Sequence, residues 1–199
     1  LLIKADRDWM TAFFATSIWS TDTTPGVTWD NVNSTPIEDI RARYYVMAPK
    51  GRPANTFCMG PNVYKRLQDH PDILDRIKYT QRAIVTPDLI GAILDVPRVF
   101  VFLGSANTGA EGAATGTYAF NAGLHALLCH AAPAPSLMAA SAGYTFSWSG
   151  YAGISAGNPG MSRIRIDEKR VDRIEGELSY DYKVVASALG EFFATAVAS

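Results

Sequence analysis

The sequence predicts an α+β fold built around one core. Segments in which apolar residues recur at helical spacing are interspersed with segments in which they alternate, and there is no regular βαβ rhythm and no internal repeat. The length of 199 residues suits one domain, or one compact unit with an extension, and is sufficient to bury a substantial core.

Three segments carry the helical spacing of apolar residues: 5–20, 34–48 and 86–94. The second is the best specified. Ser34 or Thr35 can cap it, Pro36 suits the first helical position, and Thr35 with Glu38 fits a capping box. Pro49 ends it.

Alternating apolar residues predict strands at 99–103, 118–129, 144–149, 164–166 and 178–184. In the 144–149 strand, three aromatic residues share one face and three hydroxyl residues share the other, so we expect the aromatic face to lie in the core. This strand and the 164–166 strand are predicted to form a long hairpin whose broad tip is the glycine-rich segment 150–160.

The composition favours an oligomer. Hydrophobic residues make up 48% of the chain and charged residues only 19%, against about 25% charged in an average soluble domain. The formal net charge of −1 argues against a chain that neutralises many phosphates. The densest basic run, from Arg163 to Arg173, is interrupted by acidic residues, and a solvated strand pair is the favoured reading.

The sequence shows no membrane-spanning apolar run and no signal peptide. Its two cysteines, Cys58 and Cys129, lie in apolar runs and are predicted to be buried, reduced thiols of a protein made in a cytosol.

Two motifs resemble catalytic or nucleotide-binding loops but lack essential parts. Gly153–Gly157 matches the nucleophile elbow of serine hydrolases around Ser155, yet Asn158-Pro159-Gly160 follows where a helix must begin, and every histidine precedes the serine. Gly104–Gly109 matches the start of a phosphate loop, but Ala110 and Glu111 stand where lysine and serine or threonine are required.

The histidines and carboxylates do not form a predicted site either. On a strand, His125 and Cys129 would share a face that His130 opposes, and no second ligand pair exists. His70 is expected to meet terminal carbonyl groups at the end of a helix. The acidic pairs at 38–39 and at 72 and 75 are too far apart in sequence to indicate a carboxylate pair. We therefore predict no catalytic, cofactor-binding or metal-binding residue, and no enzyme.

The segment 53–79 has the most detailed pattern. It is predicted to form a short strand, a tight turn, a short helix stopped by Pro71 and a second short helix. In content and order it resembles the major capsid proteins of tailed bacteriophages with the Hong Kong 97-like fold. The resemblance extends over most of the chain, because Trp19 and Trp29 flank a linker like the one before the spine helix of that family.

The resemblance implies a peripheral domain with a spine helix and an axial domain with a central mixed sheet. Residues 1–33 would lead to the spine helix, 34–52 would form it, 53–172 would be mainly axial, and 173–199 would return to the peripheral domain as one intertwined unit. The N-terminal arm and extended loop that precede the spine helix in this family are expected to be missing. Either they lie upstream of Leu1 and were cleaved or omitted, or this shell uses them in a shortened form.

The implied function is structural. The chain would assemble with itself into pentamers and hexamers of an icosahedral head, with scaffold, portal and decoration proteins as partners and loose contacts to packaged double-stranded DNA. It would reside in the virion after assembly in the host cytoplasm, without contacting a membrane. Two alternatives remain: the shell of an encapsulin-type compartment, which has the same fold, and, more distantly, a soluble serine hydrolase.

Overall fold

The computed structural model describes residues 2–78, 84–110, 112, 114–136, 138–148 and 160–198. Within these residues the chain folds around a five-stranded mixed sheet in the order β1-β11-β6-β2-β3. The two outer pairs of this sheet are parallel and the two inner pairs are antiparallel.

The α-helices are α1 (Leu2–Phe13), α2 (Pro36–Met47), α3 (Pro61–Gln68), α4 (Pro71–Ile77) and α5 (Pro87–Leu94). Three short 3-10 helices occur at Ala48–Lys50, Asp167–Lys169 and Ser187–Leu189. The first six strands are β1 (Asp22–Thr23), β2 (Thr56–Met59), β3 (Arg98–Val101), β4 (Ser105–Asn107), β5 (Tyr118–Phe120) and β6 (Ala126–Cys129). The remaining strands are β7 (Gly143–Ser147), β8 (Gly160–Ile166), β9 (Val171–Glu177), β10 (Tyr180–Val184) and β11 (Gly190–Phe193).

The central sheet is buried on both faces, because alternate residues of its strands point into two different cores. Phe57, Leu128 and Phe193 pack against helices α2 to α5 on one face. On the other face, Leu127 and Phe192 pack against α1 and the segment that follows it. Strands that are covered on both sides contain continuous apolar runs, as β2 and β6 do.

The strand–helix–helix pattern predicted for 53–79 is confirmed by β2, α3 and α4, and the predicted helices at 34–48 and 86–94 are confirmed by α2 and α5. Thr86 caps α5, since its hydroxyl accepts from the Leu89 N–H. Two predicted boundaries were wrong: α1 ends at Phe13 rather than continuing to residue 20, and the predicted strand 118–129 is two strands, β5 and β6.

The predicted capping box of α2 is not formed. The Thr35 side chain makes no capping hydrogen bond. Instead the carboxylate of Asp72, from the start of α4, accepts from the Ile37 N–H at 3.4 Å. The buried Ser34 donates its hydroxyl proton to the Asn31 carbonyl. The first turn of α2 is thus satisfied by a tertiary contact.

The two strands predicted to form a hairpin with each other, β7 and β8, each pair with a different strand. β7 pairs antiparallel with β10, and β8 pairs antiparallel with β9. The turn between β8 and β9 lies at Asp167–Lys169, where Arg170 adopts a left-handed conformation with φ of 51°. β7 with β10 and β8 with β9 are thus two separate two-stranded sheets, and β9 leads into β10 through residues 178 and 179. The predicted tip at 150–160 falls almost entirely outside the described residues, apart from Gly160, which begins β8.

Candidate assembly surfaces

The motifs that resemble catalytic loops do not acquire a catalytic setting in the described residues. Ser155 and Glu111 lie outside those residues. The 104–109 segment leads into β4 of a small antiparallel hairpin with β5 and does not open onto a helix. The Asn107 Oδ1 accepts from the N–H groups of Gly109 and Thr117, which closes the connecting loop from within.

The two histidines flanking β6 have separate structural partners. His125 Nδ1 accepts from the Thr195 N–H at 3.0 Å, and the imidazole ring lies 5.4 Å from the ring of Phe192. His130 Nδ1 lies 2.8 Å from the Pro53 carbonyl oxygen. In the part of the chain that the structure describes, no three His, Cys, Asp or Glu side chains come together in a way that could hold a metal ion.

A neighbouring thiol and burial keep Cys58 protonated. Cys58 and Cys129 lie on adjacent strands of the central sheet, and both are buried. A hydrogen bond with Cys129, followed by desolvation, raises the pKa of Cys58 well above its usual value. Because the thiolate is the reactive form, the Cys58 thiol is a poor nucleophile. Both cysteines line an apolar pocket of about 300 Å³ beside α1 and β3.

His70 lies at a different end of a helix from the one expected. It is the N-cap residue of α4, where its Nδ1 accepts from the Asp72 N–H at 3.2 Å. Its Nε2 lies 2.9 Å from Ser34 Oγ and 3.1 Å from the Asn31 carbonyl oxygen. The expected contact with terminal carbonyl groups was wrong, and the buried imidazole joins the start of α4 to the loop before α2.

The aromatic residues of β7 face away from the core. We call Tyr144, Phe146 and Trp148 the aromatic ridge. Phe146 is 51% exposed and Trp148 is 63% exposed, whereas Tyr144 is half-buried and donates its hydroxyl proton to the Ala139 carbonyl. The strict alternation predicted for this strand is confirmed, but the predicted placement of the aromatic face in the core was wrong.

The pairing with β10 explains this reversal. Tyr180 and Tyr182 lie opposite Ser147 and Thr145, so they share the face that is turned towards α1. Their hydroxyl groups donate to Asp8 and to the Ala5 carbonyl of α1. The partner strand supplies the aromatic residues on this side, and the ridge of β7 is left on the opposite side.

The β8–β9 hairpin, residues 160–177, exposes both of its faces, and we call it the arm. Eleven of its fourteen strand residues are exposed. Four of them are large apolar residues that a free protein would be expected to cover: Met161, Ile164, Val171 and Ile174. A two-stranded hairpin on its own is marginally stable in water, so the arm is suited to packing against something else.

Three of the four arginines of the arm form ion pairs within the arm. Asp172 forms ion pairs with both Arg163 and Arg165, the latter at 3.2 Å. Arg173 pairs with Glu175 at 2.6 Å. The arm contains five basic and five acidic residues. The predicted solvated strand pair is confirmed, and its mixed charges are a poor match to a phosphate backbone.

A third exposed apolar surface lies on β5, where Tyr118 and Phe120 share one face because they are two residues apart. None of these three surfaces was predicted from the sequence. A signal was available for the arm, because apolar residues occur on both faces of β8 and β9 between charged ones, and a strand with one buried face does not show this pattern. No helix within the described ranges is long and apolar enough to span a membrane.

The comparisons with known proteins concern capsids and phages. No family model matches the chain. A stretch of 51 residues is 41% identical to the major capsid protein of Burkholderia phage BcepMu, which corresponds to 26% of this chain and 17% of that protein. The match is therefore local.

Two solved structures share the fold. A phage-related protein from Bordetella bronchiseptica superposes with a TM-score of 0.84 at 17% identity, over 98% of this chain and 63% of that protein. The virus-like particle of Pyrococcus furiosus superposes with a TM-score of 0.55 at 8% identity, over 98% of this chain and 64% of that protein. The chain thus spans less than two thirds of either structure.

Proposed function

We propose that this chain is part of a major capsid protein of a tailed bacteriophage with the Hong Kong 97-like fold. It assembles with itself into pentamers and hexamers of an icosahedral head that encloses double-stranded DNA. The observation that carries the proposal is the apolar surface left uncovered on the aromatic ridge, the arm and β5. Contiguous apolar patches of this kind mark sites of protein association.

The family assignment gives the elements their roles. Helix α2 with the 3-10 turn at Ala48–Lys50 serves as the spine helix of residues 34–52, and residues 1–33 lead to it. Residues 53–172 form mainly the axial domain, and residues 173–199 return to the peripheral domain.

The role requires no catalytic residue, cofactor or metal. Partners are further copies of the chain, scaffold, portal and decoration proteins, and DNA held by loose contacts. The near-neutral charge of −1 suits an inner wall that does not bind the genome tightly. The protein belongs to the virion and assembles in the host cytoplasm.

Electron microscopy of the native particle from which the chain is isolated tests the proposal. Icosahedral shells filled with DNA are the expected result, and the shell diameter gives the number of subunits. Shells filled with protein would instead favour an encapsulin-type compartment, for which the similarity to a virus-like particle is the supporting observation. Small discrete oligomers would contradict both and revive the hydrolase alternative.

A variant of the aromatic ridge tests the surface itself. Replacing Tyr144, Phe146 and Trp148 with alanine should prevent or weaken assembly, while the urea midpoint of the unassembled chain falls only slightly because two of the three side chains are exposed. A variant that forms particles in wild-type yield would contradict a role of the ridge in assembly. A variant that no longer folds would contradict the outward placement of the ridge.

A further inference from the structure

The two faces of the arm differ in how their apolar residues are arranged. Ile166 lies directly opposite Val171, and Ile164 is two residues before Ile166 on the same strand and the same face. We call these three residues the isoleucine face. On the other face, Met161 and Ile174 are not directly opposite each other.

The charges of the arm separate the two faces further. Arg163, Arg165 and Asp172 all lie on the face of Met161 and Ile174, because Arg163 is opposite Ile174 and Arg165 is opposite Asp172. These ion pairs would lose water if that face were covered. The isoleucine face carries one ion pair, between Arg173 and Glu175, and Arg173 lies directly opposite Ile164. The distal pair of this face, Ile166 and Val171, is apolar on both strands.

The arm is large enough to supply part of an interface with another subunit. Seven residues per strand extend about 23 Å at ~3.3 Å per residue. A ribbon of that length and about 10 Å width, covered on one face and along its edges, supplies several hundred Å², against the ~800 Å² that each partner contributes to a standard interface. The arm alone therefore accounts for a substantial part of one subunit contact.

Resting on the proposed function, we infer that the isoleucine face of the arm docks on a second copy of this chain and leaves the face of Met161 and Ile174 uncovered. The second copy is the favoured occupant because the arm has equal numbers of acidic and basic residues and because Arg163, Arg165 and Arg173 are paired within it. Nucleic acid needs unpaired positive charge. A protein surface needs the apolar area that this face provides.

Two aspartate variants on opposite faces form a matched pair. Ile164 is 46% exposed and Ile174 is 67% exposed, and neither belongs to the two cores. Ile164→Asp should reduce the yield of closed particles at least tenfold, whereas Ile174→Asp should assemble like the wild type. Particles are counted by electron microscopy and sedimentation, and the urea midpoints of both unassembled variants should equal that of the wild type.

The outcomes separate the inference from the proposed function. If the wild-type chain forms no shell, the proposed function fails and the inference fails with it. If the wild type assembles and Ile164→Asp assembles equally well, or if both variants fail equally, only the inference is overturned.

Hydrogen exchange provides a second measurement on the wild type that depends on no variant. Backbone amides in 160–177 should exchange at least tenfold more slowly in assembled particles than in dissociated subunits. Equal rates in the two states would overturn docking of the arm.

Discussion

The ion pair between Lys50 and Glu191 offers the sharpest test of how the end of α2 is held to the central sheet. Lys50 Nζ lies 2.8 Å from Glu191 Oε1, where the lysine side chain is 30% exposed and the glutamate side chain is 0% exposed. Among the described residues, Glu191 Oε2 is buried and has no hydrogen-bond partner. The lysine is thus the counter-charge of a carboxylate that lies inside the protein.

Lys50→Met leaves that carboxylate buried without its counter-charge. Removal of one partner of a buried ion pair costs about 3–5 kcal/mol. Because Lys50 is partly exposed, we expect the lower end, about 3 kcal/mol. For a chain of 199 residues this corresponds to a fall in Tm of roughly 6–12 °C, at about 2–4 °C per kcal/mol.

A double-mutant cycle isolates the cause. Glu191→Gln removes the buried charge and keeps the shape, so it should cost about 1–2 kcal/mol through the lost charge-assisted hydrogen bond. The double variant Lys50→Met/Glu191→Gln should be more stable than Lys50→Met alone, by about 1–2 kcal/mol. Arg52→Met, which removes a nearby exposed charge, is the control and should change stability by less than about 0.5 kcal/mol.

Urea denaturation of the unassembled chain, followed by the fluorescence of the buried Trp19 and Trp29, measures all four variants. The reasoning is refuted if Lys50→Met costs less than about 1 kcal/mol. It is also refuted if the double variant is no more stable than Lys50→Met, because the loss would then come from packing of the lysine stem rather than from the stranded carboxylate.

Three further predictions concern pH, packing and thiol chemistry. Burial lowers the pKa of His125 below its ordinary value of 6.5, so its stabilising contribution is full above pH 6.5 and is lost as the pH falls from there through the folded-state pKa. His125→Asn, which keeps an acceptor, should therefore flatten the fall of the urea midpoint on the acid side of pH 6.5. Gly143→Ala places a Cβ 2.5 Å from a ring carbon of Phe13 and should cost about 1–3 kcal/mol in urea denaturation. Gly26→Ala meets nothing within 4 Å and should be nearly neutral. The raised pKa of Cys58 predicts that iodoacetamide at pH 8 modifies it only in urea, and rapid labelling of the native chain, read by mass spectrometry, would contradict its burial as a protonated thiol.

The parts of the fold that the sequence predicted are those specified by local signals. Pro36, Pro61, Pro71 and Pro87 each stand in the first turn of a helix, where the missing N–H costs nothing. The strand between residues 56 and 59 is short, and three of its four residues are apolar, as suits a strand buried on both faces. Such signals act over a few residues and need no knowledge of the partner element.

The parts that could not be predicted depend on partners distant in sequence. Nothing near Thr35 indicates that the first turn of α2 takes its acceptor from Asp72, which is 35 residues from Ile37 in sequence. The cap that the sequence offers is therefore unused. In the same way, no local feature of β7 indicates whether its partner is β8 or β10.

The partner strand β10 determines which face of β7 is buried. Gly143 has no side chain, so α1 can approach this strand closely, and Phe13 occupies the space. Tyr180 and Tyr182 supply the hydroxyl groups that bond α1. Alternation predicts that two faces differ but cannot say which one is covered, since that depends on the side chains that the neighbouring strand brings to the same side.

Because the aromatic ridge faces outward, the single chain does not gain the stability that burial of these aromatic residues would give. A strand in a free protein gains stability by burying its aromatic residues, each of which contributes about 1.5–3 kcal/mol on full burial. In β7 the residues on the inner face are Gly143, Thr145 and Ser147, which contribute much less. The single chain does not gain this free energy from the exposed aromatic side chains of the ridge or from the exposed isoleucines of the arm. In the proposed shell this free energy would become available when copies meet, which would explain both the low charge content and the uncovered faces.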